Sequence, residues 1–189
     1  NDDGDCAYCC AAFQNINAGN LFESEFKEIW NGNLHRVMCL SAENHTYTFC
    51  NKKMCPLFFS EEKQQTHDKL QYDSYQEKEE MPSALLVAID KSCNLNCITC
   101  REHIYLAKGK EKERSLQLAE IIIQSILPEV QFLILAGNGE VFLSEAYRQI
   151  YLSEACAKVG HIRLLTNGLL LTEKNWNEFY ENKKKMMQI

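Results

Sequence analysis

The chain has 189 residues, with 20 Lys and Arg against 26 Asp and Glu, and its formal net charge of −6 is no footprint for nucleic acid. Its 46% hydrophobic and 24% charged residues fit a globular protein of one or two domains rather than a disordered one. No apolar run approaches the roughly 20 residues of a membrane helix, and the opening Asn1-Asp2-Asp3-Gly4-Asp5 is polar and acidic, unlike a secretory signal. A cytoplasmic location, with neither nucleic acid nor membrane as partner, is the expectation.

Ten cysteines is a high count, and they cluster at 6–10, 39–55 and 93–100. The chain is too long and too rich in helix and strand patterns for a disulfide mini-protein, so clustering favours metal in a reducing compartment. Cys156, alone in a helical pattern, reads as a small buried apolar residue.

Residues 1–59 form the first expected module. Asp3-Gly4-Asp5 predicts a tight hairpin. Glu23–Asn31, with apolar residues at 22, 26, 29 and 30, predicts a short amphipathic helix ended by Asn31-Gly32, and Leu34–Leu40 a second helical stretch. A module with so little core gains stability from metal. Its natural ligands are Cys50, Cys55 and one or both of Cys9 and Cys10, with Cys6 and Cys39 competing for the fourth place. A zinc knuckle or a bare treble-clef-like turn is the plainer alternative. Residues 60–81, with Glu61-Glu62-Lys63-Gln64-Gln65 and Gln76-Glu77-Lys78-Glu79-Glu80, read as a solvated linker closed by Met81-Pro82.

Residues 82–189 repeat a strand–helix unit. Strands are expected at Leu85–Asp90, Val130–Ala136 and Ile162–Leu165. Helices are expected at Glu113–Leu127, ended by Pro128, and at Glu145–Val159, ended at Gly160. A third is expected from a Thr172 cap to about Lys184. Alternation with near-continuous apolar strands predicts a parallel sheet. Met186-Met187-Gln188-Ile189 reads as the start of another strand, and both ends of the chain read as those of a piece of a longer protein.

Chemistry-bearing motifs follow each strand, at the edge where parallel α/β proteins place their sites. After the first comes Cys93-x-x-x-Cys97-x-x-Cys100. A cubane iron–sulfur cluster normally takes four thiolates, so a loop offering three leaves one iron open, the usual mark of a reactive rather than structural metal centre. An odd number of crowded thiols speaks against disulfides, while zinc would want a fourth ligand. After the second strand comes Gly137-Asn138-Gly139-Glu140, where glycines admit a close backbone approach and a carboxylate can receive an ammonium. After the third comes Thr166-Asn167-Gly168.

The cysteine spacing directly after a strand resembles the signature of the radical S-adenosylmethionine (SAM) enzymes. Gly137-Asn138-Gly139-Glu140 resembles that family's Gly-Gly-Glu-Pro motif, with Asn138 and Val141 in place of the second Gly and the Pro. Thr166-Asn167-Gly168 also fits the family. The residue before the third cysteine, often aromatic there and touching adenine, is Thr99 here, which leaves that contact to Ile98 or to a residue not in this sequence. The first module resembles the auxiliary SPASM domain through Asp3-Gly4-Asp5 leading to Cys9, Gly19-Asn20-Leu21, Glu28-Ile29-Trp30-Asn31 and Cys50…Cys55-Pro56. It departs from that family in preceding the core, and the further cysteine that the family usually carries ahead of Asp-Gly would lie before Asn1.

The resemblance implies an α/β fold, the N-terminal part of a partial (β/α) barrel of the radical SAM type preceded by a small cysteine-rich SPASM-like module. Cys93, Cys97 and Cys100 would hold a [4Fe–4S] cluster whose open iron is chelated by SAM. Gly137, Gly139, Glu140, Thr166 and Asn167 would bind the cofactor, with Glu140 near the SAM amino group. SAM would be cleaved reductively to a 5′-deoxyadenosyl radical that abstracts hydrogen in peptide or natural-product modification. An auxiliary iron–sulfur cluster would sit in the first module, and a flavodoxin or ferredoxin would be the reductant. Two other classes stand beside this one: a non-catalytic iron–sulfur electron carrier and a structural zinc module.

Overall fold

A computed structural model describes residues 1–10, 13–14, 16–58, 81–135 and 139–187. Residues 60–80 of the expected linker, Ala136 of the second expected strand, Gly137 and Asn138 lie outside the described residues, as do Gln188 and Ile189. The chain divides into two compact units, one made of Asp5–Glu80 and the other of Asn1–Gly4 with Met81–Ile189.

In the Asp5–Glu80 unit, β1 (Asp5–Cys6) pairs antiparallel with β2 (Gly19–Asn20). The Asn20 amide donates to Asp5 Oδ1 at 2.8 Å across the pair. Two helices follow, α1 (Phe26–Trp30) and α2 (Asn33–Glu43). Ile29 of α1 packs so tightly on β2 that a Cβ at Gly19 would stand 2.8 Å from its Cγ1, and the φ of 152° there also favours glycine. Asn20 fixes the turn before α1, its side chain accepting from Phe22 N–H at 2.9 Å. The Trp30 and His35 rings lie tilted with centroids 4.1 Å apart, and Tyr8 lies 4.5 Å from the same imidazole. Gly19, Asn20 and Trp30 thus hold the turn and form the aromatic cover.

In the other unit, β3 (Ala84–Val87), β4 (Phe132–Leu135) and β5 (His161–Leu164) form a parallel sheet with β4 in the centre. Leu85, Leu133 and Ile162 are in register. The first strand stops at Val87 rather than Asp90, the second starts at Phe132 rather than Val130, and the third is shifted one residue toward the N-terminus of the run expected for it. Parallel strands need crossovers. Here α3 (Lys110–Ser125) joins β3 to β4, and α4 (Glu145–Tyr151) with α5 (Glu154–Lys158) joins β4 to β5. Leu118, Ala119 and Ile122 of α3, one side at helical spacing, are buried, as are Leu133 and Leu135 of β4. Fully burying such side chains is worth about 1.5–3 kcal/mol each. The opposite face is open at Leu86, which is 57% exposed.

The helix expected at Glu113–Leu127 starts three residues earlier and stops at Ser125. Pro128 instead sits in a 3-10 turn at Leu127–Glu129. The helix expected at Glu145–Val159 is two helices. Ser153 takes extended backbone angles and its hydroxyl accepts from Cys156 N–H at 3.1 Å, so it starts a new helix instead of continuing the old one. Cys156 is fully buried, as a small apolar residue would be.

Thr172 caps α6 (Glu173–Met187), accepting from Asn175 N–H at 3.2 Å. Met186 and Met187 therefore continue a helix where another strand was expected. Lys and Met are good helix formers, and short apolar runs do not tell strand from helix. From α6, Asn182 donates to the Tyr151 and Ser153 carbonyls at 3.0 and 3.2 Å, which ties down the α4–α5 break. Met81, placed in the linker by sequence, is buried in this unit. Asn1–Gly4 joins it through a Lys91–Asp2 ion pair of 2.6 Å and a bond from Arg114 to the Asp3 carbonyl at 2.7 Å. No described helix is long and apolar enough to cross a membrane.

Candidate metal centre

The three expected motifs of the Met81–Ile189 unit line one hollow of about 270 Å³ at the C-terminal edge of the sheet. Its walls hold Cys93, Cys97 and Cys100 from the loop after β3, Gly139 and Glu140 from the loop after β4, and Thr166 and Asn167 from the loop after β5. Leu95, Arg101 and Leu165 complete it.

The cysteine loop is held at both ends. At its start Asp90, 5% exposed, turns back on itself and accepts from Ser92 N–H at 2.7 Å. Its second oxygen accepts from the Ser144 hydroxyl at 2.6 Å. Ser144 in turn caps α4 by accepting from Tyr147 N–H. Farther on, Cys93 N–H donates to the Tyr105 carbonyl at 2.8 Å, closing the loop, and Ala107 N–H donates to the Ser92 hydroxyl. The Tyr105 phenol donates to Glu111 in the first turn of α3 at 2.6 Å, and that bond pushes its pKa up to about 12. Between these anchors Cys97 and Cys100 are exposed, joined by a turn in which Cys100 and Arg101 N–H both donate to the Cys97 carbonyl.

Gly139 also has a role within the chain itself. A Cβ there would stand 2.3 Å from the Asp90 carbonyl oxygen and 2.9 Å from that of Ser92. The missing side chain lets the β4 loop dock on the cysteine loop, sealed by Glu140 N–H donating to the Ser92 carbonyl at 2.7 Å.

Glu140 is 1% exposed. Its Oε1 accepts from Phe142 N–H at 3.2 Å and the Thr166 hydroxyl at 2.6 Å, and its Oε2 from Asn167 N–H at 2.7 Å. The carboxylate thus ties the loops after β4 and β5 together. A carboxylate has about four acceptor positions, and three are filled from within the chain. Thr166 and Asn167, expected as cofactor contacts, are also the partners that fix Glu140.

Ile98, one expected adenine contact, is 98% exposed and outside the hollow, whose apolar walls are Leu95 and Leu165. Neither leucine was singled out from sequence, nor was Arg101 or Asp90. Leu165 carried a signal, as the last apolar residue before Thr166-Asn167-Gly168. Gly137 lies outside the described residues.

In the Asp5–Glu80 unit, Cys9 is followed by Cys10, whose carbonyl accepts from Phe13 and Gln14 N–H and so opens a turn. Cys50 and Cys55 flank another, centred on the Asn51 carbonyl. Asn51 N–H donates to the Phe13 carbonyl at 2.7 Å, which joins the two turns. Burial pushes the Cys50 thiol up, and the neighbouring Cys9 and Cys55 thiols add to it. Cys39 stands with a different group, its Sγ 3.4 Å from His35 Nε2, and both it and Cys6 act on Tyr8, whose pKa rises chiefly through burial.

Among the described residues no three His, Cys, Asp or Glu side chains are gathered closely enough to hold a metal ion. The donor chemistry nevertheless fits an iron–sulfur cluster. Soft thiols from one loop border one hollow, their backbone fixed at both ends, and the one carboxylate among its described lining residues, Glu140, is already bonded within the chain.

No curated protein and no solved structure matches the chain. Residues 1–56 match the family model SPASM, an iron–sulfur cluster-binding domain of a kind that occurs in radical SAM proteins.

Proposed function

We propose that the chain carries part of a radical SAM enzyme, in which Cys93, Cys97 and Cys100 hold a [4Fe–4S] cluster with one iron left for SAM. The observation that carries this reading is the convergence of the motifs after β3, β4 and β5 on one hollow. A three-thiol loop, a buried carboxylate and an Asn-bearing turn stand together there, although more than 70 residues separate Cys93 from Asn167.

Held by Cys93, Cys97 and Cys100, the cluster would supply one-electron chemistry, drawn from an external reductant, for reductive cleavage of the SAM sulfonium C–S bond and hydrogen abstraction from a substrate. The chain's residues bind and shield. Gly139 brings the β4 loop against the cysteine loop, and Glu140 offers its remaining acceptor position to the SAM ammonium. Leu95 and Leu165 give the hollow apolar area on its walls.

The sheet and its helices would be the N-terminal part of a partial (β/α) barrel. In the SPASM segment, Cys9, Cys10, Cys50 and Cys55 would hold the auxiliary cluster, the joined turns favouring them over Cys6 and Cys39. The substrate class is a peptide or small natural product, with a flavodoxin or ferredoxin as reductant.

The test is anaerobic incubation of the reconstituted chain with SAM and dithionite, measuring 5′-deoxyadenosine. The parent should release it and Cys97→Ala should not. Iron-loaded parent that leaves SAM intact contradicts the proposal.

A further inference from the structure

We infer that Asn167 is a positioning residue that donates an N–H···S hydrogen bond to Cys93 and thereby raises the reduction potential of a cluster held by the cysteine loop. This rests on the reading of Cys93, Cys97 and Cys100 as its ligands.

Asn167 Nδ2 lies 3.8 Å from Cys93 Sγ and 2.9 Å from Asn94 Oδ1. Which end of the amide faces the sulfur follows from chemistry. Leu169 N–H, which can only donate, reaches Asn167 Oδ1 at 3.0 Å. The oxygen is therefore on that side and the NH₂ is on the side of Cys93. The backbone is fixed as well, since Asn167 N–H donates to Glu140 Oε2, and Thr166 on one side binds the same carboxylate. Asn167 thus reaches Cys93 from a frame set by Glu140 rather than as a free surface amide.

Cys93 is only 8% exposed, and a hydrogen bond at a buried sulfur acts with little solvent screening. Reduction adds negative charge that spreads over the ligating sulfurs. A donor to one of them stabilises the reduced state more than the oxidised one, and so raises the potential. Arg101 gives Cys100 a similar donor, its guanidinium 3.7 Å from Cys100 Sγ and anchored on the Lys91 carbonyl at 2.6 Å.

The test is EPR-monitored potentiometric titration of the reconstituted full chain. Asn167→Asp keeps the Oδ1 that Leu169 needs, removes the donor and adds a charge. Asn167→Leu removes the donor without charge. Both should keep the parent's iron content and move the midpoint to more negative potential, Asp further than Leu. Unmoved midpoints at equal iron overturn the hydrogen bond's role. Replacing Cys93, Cys97 and Cys100 together by Ala separates the two ideas. Iron content and a signal equal to the parent's after this change remove the cluster from the loop and overturn both. Loss of the loop's share of iron and signal, leaving that of the SPASM segment, with midpoints unmoved in the Asn167 variants, overturns only the tuning.

Discussion

Ser144 donates its hydroxyl proton to Asp90 Oδ2 at 2.6 Å, a bond across 54 residues of sequence that fastens the start of the cysteine loop to the N-cap of α4. With both carboxylate oxygens bonded, Asp90 can stay buried where a lone charge could not. Asp90→Ala leaves the Ser144 hydroxyl and Ser92 N–H without this acceptor. A loss of about 2–3 kcal/mol in urea unfolding is expected, together with lower iron uptake. A variant as stable as the parent would show the anchor to be dispensable.

Gly139 tolerates no side chain because the Asp90 carbonyl oxygen would stand 2.3 Å from a Cβ. The obstacle is backbone and cannot swing aside. Gly139→Ala should therefore separate the two loops and destabilise the unit by about 3 kcal/mol. The measurement is thermal or urea unfolding, and an unchanged midpoint would mean that the loops move apart freely.

Glu140→Gln retains an oxygen for some of the bonds from Phe142, Thr166 and Asn167 but loses the charge. If the carboxylate receives the SAM ammonium, binding should weaken about tenfold or more, because a charge-assisted bond is replaced by a neutral one. Iron content should match the parent. Calorimetric titration of SAM into reconstituted protein checks the first point and iron analysis the second. Iron loss equal to the loss of SAM binding would assign Glu140 a structural role alone.

Burial pushes the Cys156 thiol up to about 11, with Lys183 pulling it partly back. The folded chain keeps a proton that the unfolded chain releases near pH 9. This contribution to stability is present below about pH 9 and falls away as pH rises towards 11. Cys156→Ala should flatten that part of the stability–pH curve in urea titrations. At pH 8 native Cys156 should resist iodoacetamide while the exposed Cys97 and Cys100 of the cluster-free chain react.

Much of this arrangement is legible in the residues, because local chemistry sets it. The order of strands and helices follows from apolar periodicity, and the Thr172 cap from a hydroxyl ahead of an acidic first turn. The break at Ser153 was hidden because the apolar spacing runs on through Cys156 and Val159, although a Ser–Glu pair is itself a cap signal. The role of Asp90 could not be read at all, since its partner lies in another element. The same holds for Glu140. Sequence marks it as a carboxylate at a strand end but not that three donors from two loops already surround it. Gly139 is a glycine for a neighbour, the Asp90 carbonyl, that only the folded chain brings near.

The most direct measurement is anaerobic iron–sulfur reconstitution of the parent beside the variant with Cys93, Cys97 and Cys100 all changed to Ala, followed by iron counting and EPR with and without SAM. The expected result is a reduced-cluster signal in the parent that SAM alters and the variant lacks, with residual iron in the variant belonging to the SPASM segment. A parent that takes up zinc instead, or whose signal ignores SAM, would contradict it.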